Sequence, residues 1–357
     1  MIRVVSAEAV PIVFRLREGY RIAGASFTTA ENVILKISTS DGRTGFGCAA
    51  PAEEVTGESP AAALRALRDT LLPLLRESDA ADPAGVARRA AALSPGCPAA
   101  RAAVDIALHD LLGRRAGLPL ARLFGMKRER LPTSVTLGIA DQAATLERAR
   151  RYVAQGFRIL KLKIGEDWEA DAALVTALAV ACGPGVTLRA DANQGYSEAE
   201  TRRFLTALRP GDLELLEQPT AAGDLEALRR LTADSSVPIM ADESVCGADD
   251  ARRVAARQAA RLVNIKLMKS GGLVEALAIA AVTGAAGIGA MLGCNDESRI
   301  GIAAALHCAL AGANTERADL DGHLDLADDV ARGGVRIEKG YVLPSLDEPG
   351  LGVSVDL

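Results

Sequence analysis

The chain has 357 residues, a formal net charge of −5 at pH 7 and only 3% aromatic residues. Such a chain lacks the basic, aromatic surface that is typical of nucleic-acid binding. No apolar run reaches the roughly 18 residues of a membrane-spanning helix, and the N-terminus alternates like a strand rather than a signal peptide. We therefore expect a cytoplasmic globular protein that binds neither nucleic acid nor membrane.

The N-terminal part of the chain predicts antiparallel strands followed by helices. The stretches RVVSAEAVPIVF and NVILKIST alternate between apolar and polar residues, and SDGRTGFG carries an Asp-Gly turn signal. The segment between the first two, REGYRIAGASFTTAE, is long and polar, and we interpret it as a loop. Ala-, Leu- and Arg-rich helical sequence follows over residues 60–118. Together these features predict an α+β unit over residues 1–125.

Residues 126–325 alternate short apolar strands with amphipathic helices. The strand candidates are TSVTLGI, RILKLKI, VTLRAD, LELLEQP, VPIMAD, RLVNIKL, IGAMLG and a weaker one near NTERADL. Seven or eight such repeats favour a (β/α) barrel over a doubly wound sheet, and no GxGxxG or P-loop follows the first strand. The tail, residues 326–357, returns to a strand and turn pattern, so we expect it to rejoin the N-terminal unit.

Charged residues stand at the ends of several predicted barrel strands. They are Lys161, Lys163, Asp191, Glu217, Asp242 and Lys266. Because the carboxyl ends of parallel barrel strands lie on one face, we expect these side chains to converge. Three carboxylates would repel one another there unless a hard divalent cation lay between them, and an all-oxygen set favours Mg²⁺ over zinc. One such acid is often a helix cap, but three on successive strands favour a metal site.

Two of the lysines predict proton transfer. A lysine close to a second lysine and a divalent cation loses preference for its charged form, so we expect its pKa to fall toward neutrality. Lys163 and Lys266 would stand on the second and sixth barrel strands and reach the centre from opposite walls. An epimerase needs a base on each face of one carbon, with Mg²⁺ stabilising the enolate that forms when the α-proton leaves.

As a set, these motifs resemble those of the enolase superfamily, in its muconate-lactonizing branch and its dipeptide epimerase family. The resemblance covers essentially the whole chain and rests on AAVDIALHDLLGRRAGLPLARLFG, KLK, DANQGY, LLEQP, ADES and NIKLMKSGG. It implies an α/β fold, a modified (β/α)7β TIM-type barrel with an α+β capping domain. We also expect a homo-oligomer.

The resemblance also implies a role for each strand-end residue. Lys163 and Lys266 would be the acid–base pair, and Lys161 would hold the substrate carboxylate and lower the pKa of Lys163. The implied Mg²⁺ ligands are Asp191, Glu217 and Asp242, with Asn193 and Glu243 supporting them from behind.

One further motif narrows the substrate class. ADLDGH carries Asp319 and Asp321 and resembles the D-x-D of dipeptide epimerases, whose two carboxylates bind the substrate α-ammonium group. A simple turn is the alternative interpretation. Muconate cycloisomerases and o-succinylbenzoate synthases have no such ammonium group to bind. The substrate implied is a dipeptide, inverted at the α-carbon of its C-terminal residue.

The side-chain preference depends on two departures from the family pattern. Ala-Glu epimerases carry a basic residue for the substrate glutamate where this chain has Gly24, although Arg21 or Arg15 could substitute. GCNDESRIG replaces an apolar GCMxES-like pattern and places Asp296 near the site, where it could pair with a cationic side chain or only favour the following helix. Acidic loop residues would add to a negative rim: Glu18, Glu53 and Glu54.

We therefore expect a preference for dipeptides that contain Lys or Arg. The alternatives are an L-Ala-D/L-Glu epimerase, or an o-succinylbenzoate synthase, N-acylamino acid racemase or cycloisomerase of the same superfamily. A barrel that binds a ligand without catalysis is the remaining alternative, and the complete Lys/Asp/Glu/Asp/Lys set disfavours it.

Overall fold

The computed structural model describes the backbone of residues 1–357 and every side chain except that of Glu54, so the predicted contribution of Glu54 to an acidic rim lies outside the described residues. The strands are β1 (Val4–Ile22), β2 (Ala25–Thr39), β3 (Thr44–Ala49), β4 (Leu131–Pro132), β5 (Val135–Leu137), β6 (Ile159–Lys163), β7 (Thr187–Asp191), β8 (Leu215–Glu217), β9 (Ile239–Ala241), β10 (Leu262–Ile265), β11 (Gly289–Gly293), β12 (Thr315–Asp319), β13 (Ala331–Gly333), β14 (Val335–Glu338), β15 (Tyr341–Pro344) and β16 (Val353–Val355).

The helices alternate with the later strands. They are α1 (Glu53–Thr56), α2 (Pro60–Ala66), α3 (Leu72–Arg76), α4 (Pro83–Leu93), α5 (Pro98–Ala116), α6 (Leu120–Leu123), α7 (Gln142–Ala154), α8 (Trp168–Cys182), α9 (Glu198–Ala207), α10 (Leu225–Asp234), α11 (Ala248–Arg257), α12 (Leu267–Ser270), α13 (Leu273–Ala285), α14 (Arg299–Ala311) and α15 (Gly322–Asp325). A π-helical turn, Leu67–Leu71, joins α2 to α3. None of the described helices combines the length and apolar character needed to cross a membrane.

The predicted barrel is confirmed. Strands β5 to β12 form one parallel sheet in sequence order, and a bridge between Thr133 and Ala318 brings the last strand back to the first. The connections run through α7, α8, α9, α10, α11, α13 and α14, which gives the predicted (β/α)7β pattern. Strands of such a barrel are covered on both faces, and β8 and β9 are accordingly buried at every residue.

The N-terminal strands form an antiparallel sheet in the order β1–β2–β3. The loop prediction for REGYRIAGASFTTAE is wrong, because β1 and β2 continue as a paired hairpin and turn only at Ala23 and Gly24. Gly24 has a φ of +80°, a backbone conformation that favours glycine. The tip of this hairpin packs against barrel loops, where the amide of Ile139 donates to the carbonyl of Arg21 at 2.8 Å. The register of β1 and β2 shifts between Arg15 and Tyr20, where three successive residues from Arg17 are exposed, and this interrupts the apolar alternation that predicts a strand.

Helix α5 joins this sheet to the barrel. A Cβ atom at Gly47 on β3 would lie only 1.8 Å from the carbonyl oxygen of Ala103 on α5, so only glycine permits this approach. The carboxylate of Asp105 on α5 accepts from the amide of Leu273 and thereby caps the first turn of barrel helix α13. The start of α5 is capped in turn by Glu58, whose carboxylate accepts from the amide of Ala99 at 2.6 Å.

The C-terminal strands lie against both parts of the fold. Strand β15 pairs with β4, which directly precedes the first barrel strand, and β13 pairs with β16. The amide of Leu351 donates to Asp110 on α5 at 2.9 Å. These contacts agree with a tail that returns to the N-terminal unit, while the domain boundaries 1–125, 126–325 and 326–357 stay a prediction.

Candidate active site

The strand-end residues meet at one end of the barrel, as predicted. Register places Lys163 beside Asp191 and Asp191 beside Glu217 on the neighbouring strands β6, β7 and β8. One carboxylate oxygen from each of Asp191, Glu217 and Asp242 lies within 4.8 Å of the others, and all three residues are fully buried. This cluster could hold a metal ion.

The three carboxylates of the cluster are not equivalent. Burial raises the pKa of Asp191, but Lys161 and Lys163 beside it outweigh burial and leave the pKa below its usual range. Burial and the charge of Asp191 instead raise the pKa of Glu217 to about 8. Oε2 of Glu217 and both carboxylate oxygens of Asp242 are buried and accept no hydrogen bond of good geometry from the described residues. These oxygens instead lie beside lysine ammonium groups, with Oε2 of Glu217 2.9 Å from Lys161 and Oδ2 of Asp242 2.9 Å from Lys266, so they face positive charge, as they would around a bound cation.

Lys161 lies among the acids of this end of the barrel. Its Nζ is 3.0 Å from Asp191, 2.9 Å from Glu217 and 2.7 Å from Asp319. Burial lowers the pKa of Lys161, but these carboxylates outweigh it and raise the pKa well above the usual value. Asp319 also accepts from the hydroxyl of Ser134 at 2.7 Å. One of the two predicted ammonium-binding acids is therefore already paired with a lysine.

Lys163 is held at the edge of the cluster. Its Nζ donates to Asp191 at 2.8 Å and to Oδ1 of Asn193 at 2.9 Å. The amide nitrogen of the Asn193 side chain donates to Glu243 at 3.1 Å, and the backbone amide of Asn193 donates to the other oxygen of Asp191 at 3.0 Å. Asn193 and Glu243 thus lie directly behind Lys163 and Asp191, and their supporting role stays a prediction.

Lys266 approaches from the opposite side. It follows β10, four strands from the β6 strand of Lys163 in the eight-stranded sheet, and its Nζ lies 2.9 Å from Asp242. Burial lowers the pKa of Lys266, but Asp242 and Glu217 outweigh burial and raise it above the usual value. Among these side chains the carboxylates outweigh the repulsion from Lys161, and the predicted fall of a lysine pKa beside a bound divalent cation stays a prediction.

A cavity of about 360 Å³ lies between the β1–β2 hairpin and this end of the barrel. Lys161, Lys163 and Lys266 line this cavity. Seven carboxylate residues also line it: Glu18, Glu31, Glu53, Asp296, Asp319, Asp321 and Asp325. Asp321 accepts from the amide of Thr136 at 2.7 Å, and burial with the nearby charge of Asp319 raises its pKa to about 7. We call these seven carboxylate residues the acidic wall of the cavity.

Asp296 lies in this wall and accepts a hydrogen bond from the hydroxyl of Tyr20 at 2.6 Å. The side chain that caps α14 is that of Ser298, so Asp296 is not the helix cap that was its alternative interpretation. The predicted basic substitutes do not line the cavity: Arg21 pairs with Glu166 at 2.8 Å, and Arg15 lies 3.5 Å from Asp328. Among the described residues, Arg148 lines it, at 3.3 Å from Glu18.

Sequence reasoning missed several groups that contact the cluster or line the cavity. Lys269 is buried, contacts Asp242 and donates to the carbonyl groups of Asp242, Val245 and Asn264. The side chain of Asn264 donates to Glu217 at 2.8 Å. Lys269 stands three residues after Lys266 in NIKLMKSGG, and that one-turn spacing was the available signal. Tyr20, Ser134 and Asp325 had no comparable signal.

Comparison with known proteins agrees with this geometry. Residues 5–125 match the model of the mandelate racemase/muconate lactonizing enzyme N-terminal domain, and residues 144–357 match the enolase C-terminal domain-like model. The chain is 44% identical to L-Lys-D/L-Arg epimerase of Methylococcus capsulatus, over 95% of this chain and 96% of that one. It is 40% identical to L-Lys-D/L-Arg epimerase of Desulforapulum autotrophicum, over 95% of each chain.

The fold agrees as closely. A crystal structure of dipeptide epimerase from Methylococcus capsulatus, complexed with Mg and the dipeptide L-Arg-D-Lys, superimposes with a TM-score of 0.94 at 42% identity and covers 98% of this chain and 99% of its own. The chain therefore belongs to the mandelate racemase/muconate lactonizing enzyme family of the enolase superfamily.

Proposed function

We propose that this protein is a Mg²⁺-dependent dipeptide epimerase that prefers substrates with Lys or Arg side chains. The proposal rests on one observation: Lys163 and Lys266 reach a single cavity from opposite sides of the barrel. The carboxylate cluster lies next to both lysines, and further carboxylates line the cavity. A substrate carbon between the two ammonium groups can lose a proton on one face and gain one on the other.

The carboxylate cluster would hold the metal. Its three buried carboxylates supply the oxygen ligands that a hard divalent cation prefers, and Asp191, Glu217 and Asp242 would be its protein ligands. When bound, Mg²⁺ supplies positive charge that stabilises the enolate of the substrate carboxylate. That charge would also offset the carboxylates that now raise the pKa of Lys266.

The two lysines would transfer the proton between them. In its neutral form, one removes the α-proton of the C-terminal residue, while the other, protonated, returns a proton to the opposite face. Asn193 keeps the Nζ of Lys163 in place through its 2.9 Å hydrogen bond. Lys161, fixed by three carboxylates, would provide positive charge for the substrate carboxylate. The roles of the two lysines exchange when the substrate has the other configuration.

The acidic wall supports the choice of substrate. Asp321 would receive the α-ammonium group, because Asp319 is engaged by Lys161 and Ser134. Asp296 and Asp325 would then remain for cationic side chains. Relatives named L-Lys-D/L-Arg epimerase at 44% and 40% identity support the same preference.

The experiment is a comparison of kcat/KM for L-Lys-L-Arg, L-Arg-L-Lys and L-Ala-L-Glu, with epimerisation followed by chiral chromatography. We expect the cationic dipeptides to turn over faster. Faster turnover of L-Ala-L-Glu would refute the cationic preference but leave the epimerase proposal standing. Turnover of an N-acylamino acid in preference to every dipeptide would refute the proposed function itself.

A further inference from the structure

Tyr20 connects the capping hairpin to the acidic wall of the cavity. It lies on β1, and its hydroxyl donates to Oδ2 of Asp296, in the loop after β11, at 2.6 Å. Both residues line the cavity. Burial and the neighbouring Asp296 raise the pKa of Tyr20 well above its usual value, so the phenol keeps its proton and remains a donor. A neutral hydroxyl thus holds one oxygen of a carboxylate that faces the substrate space.

Close packing surrounds Tyr20 at its Cβ atom and at its ring. A Cβ atom on Gly138, in the loop after β5, would lie 2.7 Å from the Cβ of Tyr20, so the chain needs glycine there. On the other side, the ring centroid lies 5.4 Å from that of Phe27 on β2. The hydroxyl of Tyr20 is therefore held near Asp296, and it is less mobile than the hydroxyl of a surface tyrosine.

The backbone of Asp296 is fixed from the same sheet. The side-chain nitrogen of Asn32, on β2, donates to the carbonyl of Asp296 at 3.0 Å, and its oxygen accepts from the amide of Ser298 at 3.0 Å. Among the described residues, only Tyr20 donates to the Asp296 carboxylate, and only to Oδ2. Oδ1 therefore retains its hydrogen-bonding capacity in a residue that lines the cavity.

We propose that Tyr20 is a specificity-determining positioning residue, which holds Oδ2 of Asp296 so that Oδ1 binds a cationic side chain of the dipeptide. This inference rests on the proposed function and adds a group from the capping sheet to the cation site. The site is complete only when the hairpin lies over the barrel, since one partner comes from each.

The test compares Tyr20→Phe with wild type on L-Lys-L-Arg and L-Ala-L-Ala, with kcat and KM measured separately. Because Tyr20 acts on the substrate only through Asp296, the loss of affinity is bounded by the contribution of one hydrogen bond to a charged group, roughly 10-fold. We expect Tyr20→Phe to raise KM for L-Lys-L-Arg measurably within that bound, with kcat and the KM for L-Ala-L-Ala unchanged. Asp296→Asn should show the same selective loss.

A matched control is Tyr196→Phe. Tyr196 also donates to a carboxylate, that of Asp171 at 2.5 Å, but neither residue lines the cavity. We expect this variant to retain the wild-type KM for L-Lys-L-Arg. Equal effects of Tyr20→Phe on both dipeptides, or no effect on either, would overturn the role of Tyr20 in specificity.

Binding of both dipeptides to wild type and Tyr20→Phe is also measured by titration calorimetry, which needs no turnover. Selective weakening of L-Lys-L-Arg binding in Tyr20→Phe would support the inference even if the reaction were not an epimerisation. Absence of turnover would refute the proposed function alone, whereas equal binding of L-Lys-L-Arg by both proteins would overturn the inference alone.

Discussion

Lys269 is a buried lysine that contacts Asp242 of the carboxylate cluster. The variant Lys269→Met tests how much this lysine contributes to the stability of the fold. Methionine keeps an unbranched apolar chain but removes the charge. In this variant Asp242 keeps Lys266, at 2.9 Å, as its lysine partner. The carbonyl groups of Val245 and Asn264 lose the Lys269 ammonium group that donates to each of them at 3.1 Å. Removing one partner of a buried ion pair costs about 3–5 kcal/mol. We expect the free energy of unfolding to fall by about that amount.

The assay is urea unfolding followed by circular dichroism, in buffer without divalent cations. Lys36→Met is the matched control, since Lys36 on β2 is exposed, and its effect should stay within about 0.5 kcal/mol. A loss of less than about 1 kcal/mol in Lys269→Met would contradict the reasoning, because it would mean that Asp242 does not depend on this lysine.

Three further outcomes are expected. Burial lowers the pKa of His307 to about 4 from an ordinary 6.5, so between these pH values the unfolded chain binds a proton that the folded chain does not. The free energy of unfolding should therefore fall by about 3 kcal/mol as the pH drops from 6.5 to 4. The free energy of unfolding of His307→Asn should lack this pH-dependent loss. Chelation with EDTA should abolish epimerisation, with Mg²⁺ restoring it in wild type but not in Asp191→Ala; activity in EDTA would contradict the metal role. Asp321→Asn should raise KM for dipeptides by about 10-fold or more. Asp319→Asn should mainly lower kcat, because Asp319 contacts Lys161 at 2.7 Å. Equal effects of the two variants on KM would contradict these separate roles.

The barrel and its strand-end residues could be predicted from the sequence because each is a local signal. A buried parallel strand is a short apolar run, so a Lys, Asp or Glu at its end stands out, and parallel strands place all such ends on one face. Lys163, Asp191 and Glu217 therefore needed no knowledge of register to be grouped together. Their adjacency on β6, β7 and β8 is what the structure adds.

The partners of these residues could not be predicted, because they depend on contacts between distant segments. Asp319 and Lys161 meet across 158 residues, and Tyr20 and Asp296 across 276. Even D-x-D, a local motif, gave no sign that Asp319 is already paired. The hairpin tip was missed for a related reason: the register of its two strands shifts between Arg15 and Tyr20, so the sequence lacks the regular apolar alternation of a strand over a core.

The most direct test of the central claim follows the α-proton itself. L-Lys-L-Arg and L-Lys-D-Arg are incubated with enzyme and Mg²⁺ in D₂O, and deuterium at the α-carbon of the C-terminal residue is measured by mass spectrometry. For wild type we expect both isomers to gain one deuterium and to interconvert. Lys163→Ala and Lys266→Ala should both fail to interconvert them, and each should retain exchange on at most one isomer, the opposite one in the two variants. Interconversion that survives in either variant would contradict a mechanism that uses two opposed lysines.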